Sequence, residues 1–425
     1  MEIGLRRAQN VSDSATSKGR PVSASGVLTG AAGVIAALAS AAIFRDWSAD
    51  SITKVLTVLG CAAAGMIAVD VLIYRVQDNT TTGLSRAPLR PLDLPRVARK
   101  FLGLWLTIGV IAALYFLIPE YHNDFYEPFT AAAFRLLPAL LVASPFYIAY
   151  VDCRQREPVD AYAQVAMLIG GNRPEDWGAL KTHVLGWLVK AFFLPLMFVY
   201  VHNDMGALWN ASIPAPTDFE HFFSWLIDLF YLVDVLIATV TYAITLRLID
   251  NHIRSVEPTL GGWIICVICY RPLTDVQAPY IQYEQDNLYW GAVFAPYPWL
   301  YVIWGSMILG LVFIYAWSTA SFGLRFSNLT NRGIITDGPY RWLKHPAYVS
   351  KNLSWWMISV PFIAGAGWVT AVVSCIMMAA VNLIYYLRAK TEERHLRADP
   401  AYREYEAYIA RCGLWALLLN RRRGS

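Results

Sequence analysis

Charged side chains are scarce in this sequence: Asp, Glu, Lys and Arg together make up 16% of its 425 residues. Soluble globular domains carry about 25%. Hydrophobic residues account for 56% of the chain, and long apolar runs alternate with short polar segments. This balance excludes an ordinary soluble domain and predicts an integral membrane protein.

The chain also lacks a concentrated basic patch and a cysteine framework. Its net charge is only +4 and its basic residues are spread over several loops, so we expect no nucleic-acid partner. The six cysteines lie mostly in or beside apolar runs, which indicates no disulfide framework. Cys266 and Cys269 have the spacing of a redox motif, but no second ligand pair accompanies them, and we expect no metal site.

The beginning of the chain lacks the apolar core and the cleavage site of a signal peptide. Residues 1–26 are instead polar and rich in serine. We interpret them as a retained, disordered tail on the cytoplasmic side of the membrane.

Long apolar runs are the main feature that is present. A helix needs about 20 apolar residues to cross a bilayer. The last run is long enough for two spans that bend at Pro361, so we predict an all-α, multi-pass transmembrane fold of about nine to ten spans with a C-terminal helical hairpin. The apolar windows are 27–44, 55–74, 101–118, 131–151, 183–201, 223–246, 296–320 and 353–387.

The distribution of Lys and Arg predicts the topology. Residues 119–129 and 202–222 contain neither, so these segments should face away from the cytoplasm. The positive-inside rule places both termini in the cytoplasm, and we expect the protein in a cell (inner) membrane. The basic segments are the N-terminal tail, 75–100, 152–182, 321–351 and 421–423.

An odd number of clear spans separates residue 182 from residue 321, although both ends should be cytoplasmic. The short apolar stretch 258–272 is the best candidate for the missing passage, as a re-entrant or broken helix. We therefore divide the rest of the chain into an N-terminal transmembrane domain (27–250), a connecting segment with this short helix (251–286) and a C-terminal membrane domain (287–425).

Two polar segments flank the final apolar hairpin. The sequence GPYRWLKHPAY lies at 338–348 before the hairpin, and Arg388, Glu392 and Glu393 follow it. Because a hairpin brings both its ends to one face, these flanks should be neighbours. Basic groups can hold a carboxylate, acidic groups an ammonium or a ribose, and tyrosines an adenine. S-adenosylmethionine contains all of these parts.

This pattern resembles a known family. GPYRWLKHPAY, an apolar hairpin and then EERHLRADPAYREY are similar to the isoprenylcysteine carboxyl methyltransferase and phospholipid methyltransferase superfamily, over roughly residues 300–415. The resemblance implies an integral membrane methyltransferase that uses S-adenosylmethionine on a lipid-soluble acceptor. Two positions depart from the family pattern: Lys344 stands where Arg is usual, and Ser350 replaces a small Gly.

The resemblance also implies roles for individual residues. His345, Pro346 and Tyr348 would shape the donor pocket, and His345 is also a catalytic candidate. The other catalytic candidates are Arg341 and Glu393. The full set expected to bind the cofactor is Tyr340, Arg341, Lys344, His345, Pro346, Tyr348, Arg388, Glu392 and Glu393.

Ionisable residues inside predicted spans are costly and usually functional or paired. We predict that Lys190 pairs with Asp228 or Asp234 and that these residues, together with Asn352, line the acceptor site. A structural ion pair between helices is the competing interpretation. The tyrosines of the C-terminal helix are expected to be packing or interface anchors rather than ligand contacts; they are Tyr402, Tyr405 and Tyr408.

Several functions remain open at this point. The acceptor is an isoprenoid or lipid carboxylate, a prenylated thioether-bearing acid or a phospholipid amine, and only an amine, thiol or hydroxyl would need a general base such as His345 or Glu393. An alternative is an oxidoreductase that resembles the NADPH-dependent sterol reductases, although no basic cluster for a 2′-phosphate is visible. A transporter or scaffold in the bilayer is the third possibility, and the oligomeric state stays open.

Overall fold

The computed structural model describes residues 19–171, 173–284 and 288–423, with side chains up to residue 418. Within these ranges the chain is mostly helical and has only two short strands, which confirms the predicted all-α class. The α-helices are α1 Val27–Ile43, α2 Ser51–Ala68, α3 Leu94–Leu117, α4 Glu127–Asp152, α5 Ala161–Ile169, α6 Trp177–Asn210, α7 Phe219–Ala243, α8 Leu260–Val267, α9 Leu273–Gln277, α10 Trp290–Phe294, α11 Pro298–Ser321, α12 Pro346–Ser359, α13 Trp368–Leu396, α14 Pro400–Cys412 and α15 Leu414–Arg423.

Short elements connect these helices. A π-helical turn, Val69–Ile73, continues α2. Strands β1 (Ser255–Val256) and β2 (Thr330–Asn331) pair antiparallel, with Ser255 opposite Asn331. The 3-10 turns are Val76–Asp78, Thr80–Thr82, Pro119–His122, Asp124–Tyr126, Arg247–Ile249, Gly323–Arg325 and Gly338–Arg341.

Seven helical segments in the described residues are long and apolar enough to cross a membrane, which confirms a multi-pass protein. They are Ser51–Ile73, Leu94–Leu117, Asp124–Asp152, Trp177–Asn210, Phe219–Ala243, Pro298–Ser321 and Trp368–Leu396.

The count differs from the nine to ten spans predicted, because two apolar segments form shorter helices. Helix α1 has 17 residues and α12 has 14. At 1.5 Å per residue α12 is about 21 Å long, which is less than the roughly 30 Å hydrocarbon core. Helices α12 and α13 nevertheless form the predicted hairpin. Its open end lies at Pro346 and Leu396, and its bend at residues 360–367.

The connecting segment runs from one end of this hairpin to the other. Glu257 accepts a hydrogen bond from Arg394, near the open end, at 3.1 Å. Glu284 accepts one from Ser359, beside the bend, at 2.6 Å. Between them the chain forms the short helices α8 and α9 rather than one span. The predicted re-entrant or broken passage at 258–272 stays a prediction, and the structure places two short helices there.

The beginning and the end of the chain pack together. A Cβ atom on Gly30 of α1 would lie 1.9 Å from the carbonyl oxygen of Ala320 in α11, so only glycine allows this helix contact. The backbone N–H of Ala24 donates to the carbonyl of Ile334 at 2.9 Å. Residues 19–26 of the predicted tail are therefore folded against the C-terminal part, and residues 1–18 lie outside the described residues.

A buried ion pair joins three parts of the fold. Arg325, in the turn after α11, donates to Asp70 at the end of α2 at 3.0 Å, and both side chains are 0% exposed. Thr29 of α1 donates to the other carboxylate oxygen at 2.5 Å. A buried charge is stable only when it is paired. The pair therefore fixes the start of the loop that follows α11.

Replacing Arg325 with Met should lower the free energy of unfolding by about 3–5 kcal/mol, because Asp70 keeps a buried charge without its partner. Thermal unfolding in detergent measures the change. Arg135→Met is the matched control, since Arg135 pairs with Asp50 at 2.6 Å while 44% of its side chain is exposed, and the expected loss is about 0–1 kcal/mol. Equal losses in both variants would contradict the structural role of the buried pair.

Candidate active site

A cavity of about 390 Å³ lies at the open end of the α12–α13 hairpin. Its volume is within the usual range of small-molecule sites. Helices α7, α11, α12, α13 and α14 contribute to its walls, together with the loop after α11. Six of the predicted cofactor-binding residues line it: Tyr340, Lys344, His345, Tyr348, Arg388 and Glu392.

The loop before α12 is shaped by local geometry. Gly338 has a positive φ of 59°, and a Cβ atom there would lie 2.2 Å from Ser321 Oγ. Pro346 takes the first position of α12, where its fixed φ favours a helix start. The Tyr405 hydroxyl donates to the carbonyls of Tyr340 at 2.7 Å and Leu343 at 3.1 Å. Helix α14 thus fastens this loop, and Tyr405 also lines the cavity.

The two flanks of the hairpin are in direct contact. His345 Nε2 lies 3.2 Å from Glu393 Oε1, and Lys344 Nζ lies 3.1 Å from the same oxygen. Glu393 is buried, and it also accepts from Lys390 at 3.1 Å and lies 3.5 Å from Arg397. Glu393 does not line the cavity. Its contacts join the loop to α13.

A second carboxylate contacts two of the cations around Glu393. Glu406 of α14 contacts Arg397 at 2.7 Å and Lys344 at 3.1 Å. The Arg397 guanidinium, with a smaller contribution from Lys344, lowers the pKa of Glu406 to about 2. Lys344 is therefore held between two carboxylates. Its side chain is fixed without the bidentate geometry of an arginine.

Glu392, unlike its neighbour Glu393, faces the cavity. Its Oε1 accepts from the Tyr348 hydroxyl and, at 3.4 Å, from Arg388 Nε. Its Oε2 lies 3.9 Å from His345 Nδ1. The rings of His345 and Tyr348 stack nearly parallel, with centroids 5.6 Å apart. Glu392 thus presents a carboxylate at the edge of an aromatic surface.

Arg388 lies deeper in the cavity wall and is buried. Its Nη2 donates to Asn328 Oδ1 at 2.5 Å and to the Tyr270 hydroxyl at 3.2 Å. The guanidinium carbon lies 5.1–5.4 Å from the ring centroids of Tyr348 and Tyr270. Such contacts hold a planar cation in one orientation. Asn328 and Tyr270 are site residues that sequence reasoning missed.

Tyr402 was expected to be a packing residue, but it lines the cavity. It is 3% exposed, and its hydroxyl oxygen has no hydrogen-bond partner among the described residues. Burying a hydroxyl without a partner costs about 1–3 kcal/mol. The Tyr402 hydroxyl is therefore available to a ligand.

Three predicted residues lie outside the cavity lining. Arg341 is exposed and its guanidinium stacks over the Trp342 ring at 5.1 Å. Pro346 is buried at the start of α12. Asn352 donates to the Tyr348 carbonyl at 2.7 Å and accepts from an asparagine of α13, so it joins the hairpin arms. The 3-10 turn at Gly338–Arg341 directs the Arg341 side chain away from the cavity.

The predicted pair between Lys190 and Asp228 or Asp234 is not formed. Lys190 donates to Thr245, just beyond the end of α7, at 2.7 Å. Asp234 lies about 14 Å back along the same helix, and Asp228 still further. Lys190 and these acids therefore lie at different depths in the bundle. Among these residues Asp234 lines the cavity, whereas Lys190 and Asp228 do not.

The fold and the cavity define a multi-pass helical protein with a cavity at the open end of its last hairpin. Residues 300–398 match the model of the isoprenylcysteine carboxyl methyltransferase (ICMT) family. This confirms the resemblance of the C-terminal part and indicates a membrane methyltransferase domain. The matched range contains His345, Arg388, Glu392 and Glu393. No curated protein and no solved structure matches the chain.

Glu392 and Glu393 offer a matched pair of tests. Glu393→Gln should lower the free energy of unfolding by about 1.5–3 kcal/mol, because it removes the buried partner of several cationic hydrogen bonds. Glu392→Gln should cost less than about 1 kcal/mol, since the side chain is 26% exposed. Melting temperatures of both variants in one detergent provide the measurement. A larger loss for Glu392→Gln would reverse this assignment of roles.

Proposed function

We propose that this protein is an S-adenosylmethionine-dependent methyltransferase that acts on a lipid-soluble acceptor. The observation that carries the proposal is the convergence of His345, Tyr348, Arg388 and Glu392 on one cavity within the segment that matches the ICMT family. Neither a transporter nor a scaffold requires this set of groups at the end of a hairpin.

The groups in the cavity fit the parts of the donor. Glu392 offers a carboxylate for the donor's ammonium or ribose hydroxyls, and Arg388 offers a guanidinium for its carboxylate. Tyr348 supplies a ring surface for the adenine. The buried Tyr402 hydroxyl, which has no partner in the described part of the chain, adds a hydrogen-bonding group. The volume of about 390 Å³ also suits a ligand of this size.

The chain's own residues mainly bind, orient and exclude water. When bound, the donor supplies a sulfonium methyl group, which passes to the acceptor while the electron pair of the broken C–S bond stays on sulfur. Aromatic walls limit water in the cavity. Glu393 does not line the cavity, so we infer that it positions His345 and Lys344. Arg341, outside the cavity, is not part of the proposed catalytic set.

We infer that the open end of the hairpin faces the cytoplasm. The basic loops meet at this end: Asn79 donates to Asp250 at 2.9 Å, and the backbone N–H of Ser85 donates to the carbonyl of Arg154. Asp250 in turn lies 3.9 Å from Arg325. The basic segments therefore lie together at one end of the helical bundle, which agrees with the positive-inside rule. A water-soluble donor would enter there, and a lipid acceptor from the bilayer.

Titration of the purified protein with S-adenosylmethionine and, separately, with NADPH tests the proposal. The donor should bind and NADPH should not. Glu392→Gln should weaken donor binding about tenfold, which corresponds to about 1.4 kcal/mol. Glu404→Gln, on the exposed side of α14, is the matched control and should bind like the wild type. Isothermal titration calorimetry measures these affinities.

Two results of this titration would contradict the proposal. Binding of NADPH without binding of the donor would favour a reductase. Binding of neither cofactor would favour transport. If the donor binds, mass spectrometry of lipids from cells that express the protein should detect species heavier by one CH₂ group, and these identify the acceptor directly.

A further inference from the structure

Lys351 lies on α12 and lines the same cavity. It follows His345 and Tyr348 at intervals of three residues, so the three side chains lie along one side of the helix. The series begins at the open end of the hairpin and continues into the bundle. Lys351 is therefore placed about one helical turn, or about 5 Å, deeper than the groups proposed to bind the donor.

The surroundings of Lys351 are aromatic. Its Nζ lies 3.5 Å from the Tyr315 hydroxyl, and 4.9 Å and 5.4 Å from the ring centroids of Tyr315 and Trp355. No carboxylate lies within 4.0 Å of this ammonium in the part of the chain that the structure describes. An ammonium inside a membrane bundle is costly unless an anion pairs with it.

The acid on the far side of Tyr315 is already engaged. The Tyr315 hydroxyl donates to Asp234 Oδ2 at 2.5 Å, and Thr319 donates to Oδ1 at 2.5 Å. Tyr315 therefore separates the carboxylate from the ammonium while contacting both. This arrangement leaves the cavity side of Lys351 open to an anion from a ligand.

The other cations in the cavity wall have partners. Arg388 contacts Glu392, Lys344 contacts Glu393, and Arg325 contacts Asp70. Arg332 has no carboxylate partner among the described residues but donates to four backbone carbonyls, which engage four of its five N–H groups. Unlike these four side chains, Lys351 has neither a carboxylate partner nor a set of carbonyl partners among the described residues.

We propose that Lys351 binds the acidic group of the lipid acceptor, an inference that rests on the proposed methyltransferase function. A lipid anion held there lies beside Tyr348, on the membrane side of the donor groups. The same ammonium repels a protonated amine at this position. The site therefore favours an acceptor that carries an anionic group at this depth over one that is neutral there.

Binding of a prenylated acid and of its neutral ester tests this assignment. The probes are N-acetyl-S-farnesylcysteine, its methyl ester and phosphatidylethanolamine, each titrated into the full-length protein in nanodiscs without donor. Wild type should bind the acid about tenfold more tightly than the ester. Lys351→Met should remove this preference and leave ester affinity unchanged, whereas Lys351→Arg should retain it. Lys181→Met, at an exposed position on α6, is the charge-matched control.

The outcomes separate this inference from the proposed function. Lys351→Met should still bind S-adenosylmethionine like the wild type, because the residue is assigned to the acceptor. Failure of wild type to bind the donor overturns the methyltransferase proposal. An equal affinity of wild type for acid and ester, a preference for phosphatidylethanolamine that Lys351→Met leaves unchanged, or an acid preference that survives in Lys351→Met overturns the role of Lys351. The wild-type comparison needs no variant, so the test remains decisive if Lys351→Met does not fold.

Discussion

The buried carboxylate of Glu393 holds the two ends of the last hairpin together. Basic groups come from the loop before α12 and from the end of α13, and without an anion between them they would repel one another. His345, Lys344, Lys390 and Arg397 all contact this one side chain. Because the loop is fixed in this way, the cavity residues on α12 and α13 face each other. The site depends on a residue that does not line it.

The convergence of the flanks was predictable because it follows from hairpin geometry and from a short motif. The direction in which each side chain points was harder to predict. His345 and Arg341 occupy one motif, yet a 3-10 turn directs Arg341 away from the cavity. Tyr402 packs as expected in a buried cluster, but its place in the cavity wall was not predictable, because helical spacing alone does not say which helix face meets a cavity. The error with Lys190 has a similar cause: pairing between helices depends on their relative depth, which hydropathy leaves undefined.

The membrane helices were predictable from apolar run length, but their number was not. Helix α12 begins at a polar loop and ends after 14 residues at Ser359, and the next residue, Val360, has a positive φ of 37°. The apolar run therefore does not form two full spans. The segment between Glu257 and Glu284 forms two short helices and irregular backbone rather than one long helix. The hydrogen bonds from Arg394 and Ser359 show where its two ends are held.

The contact between the first described residues and the loop after α11 has a consequence for how the molecule is made. The backbone N–H of Thr336 donates to Ser23, a partner 313 positions earlier in the chain. This hydrogen bond forms late in synthesis, because most of the polypeptide must be made before both partners exist. The ligand site is thus completed only after the last helices insert, and a nascent chain spends most of its time on the ribosome without a finished site.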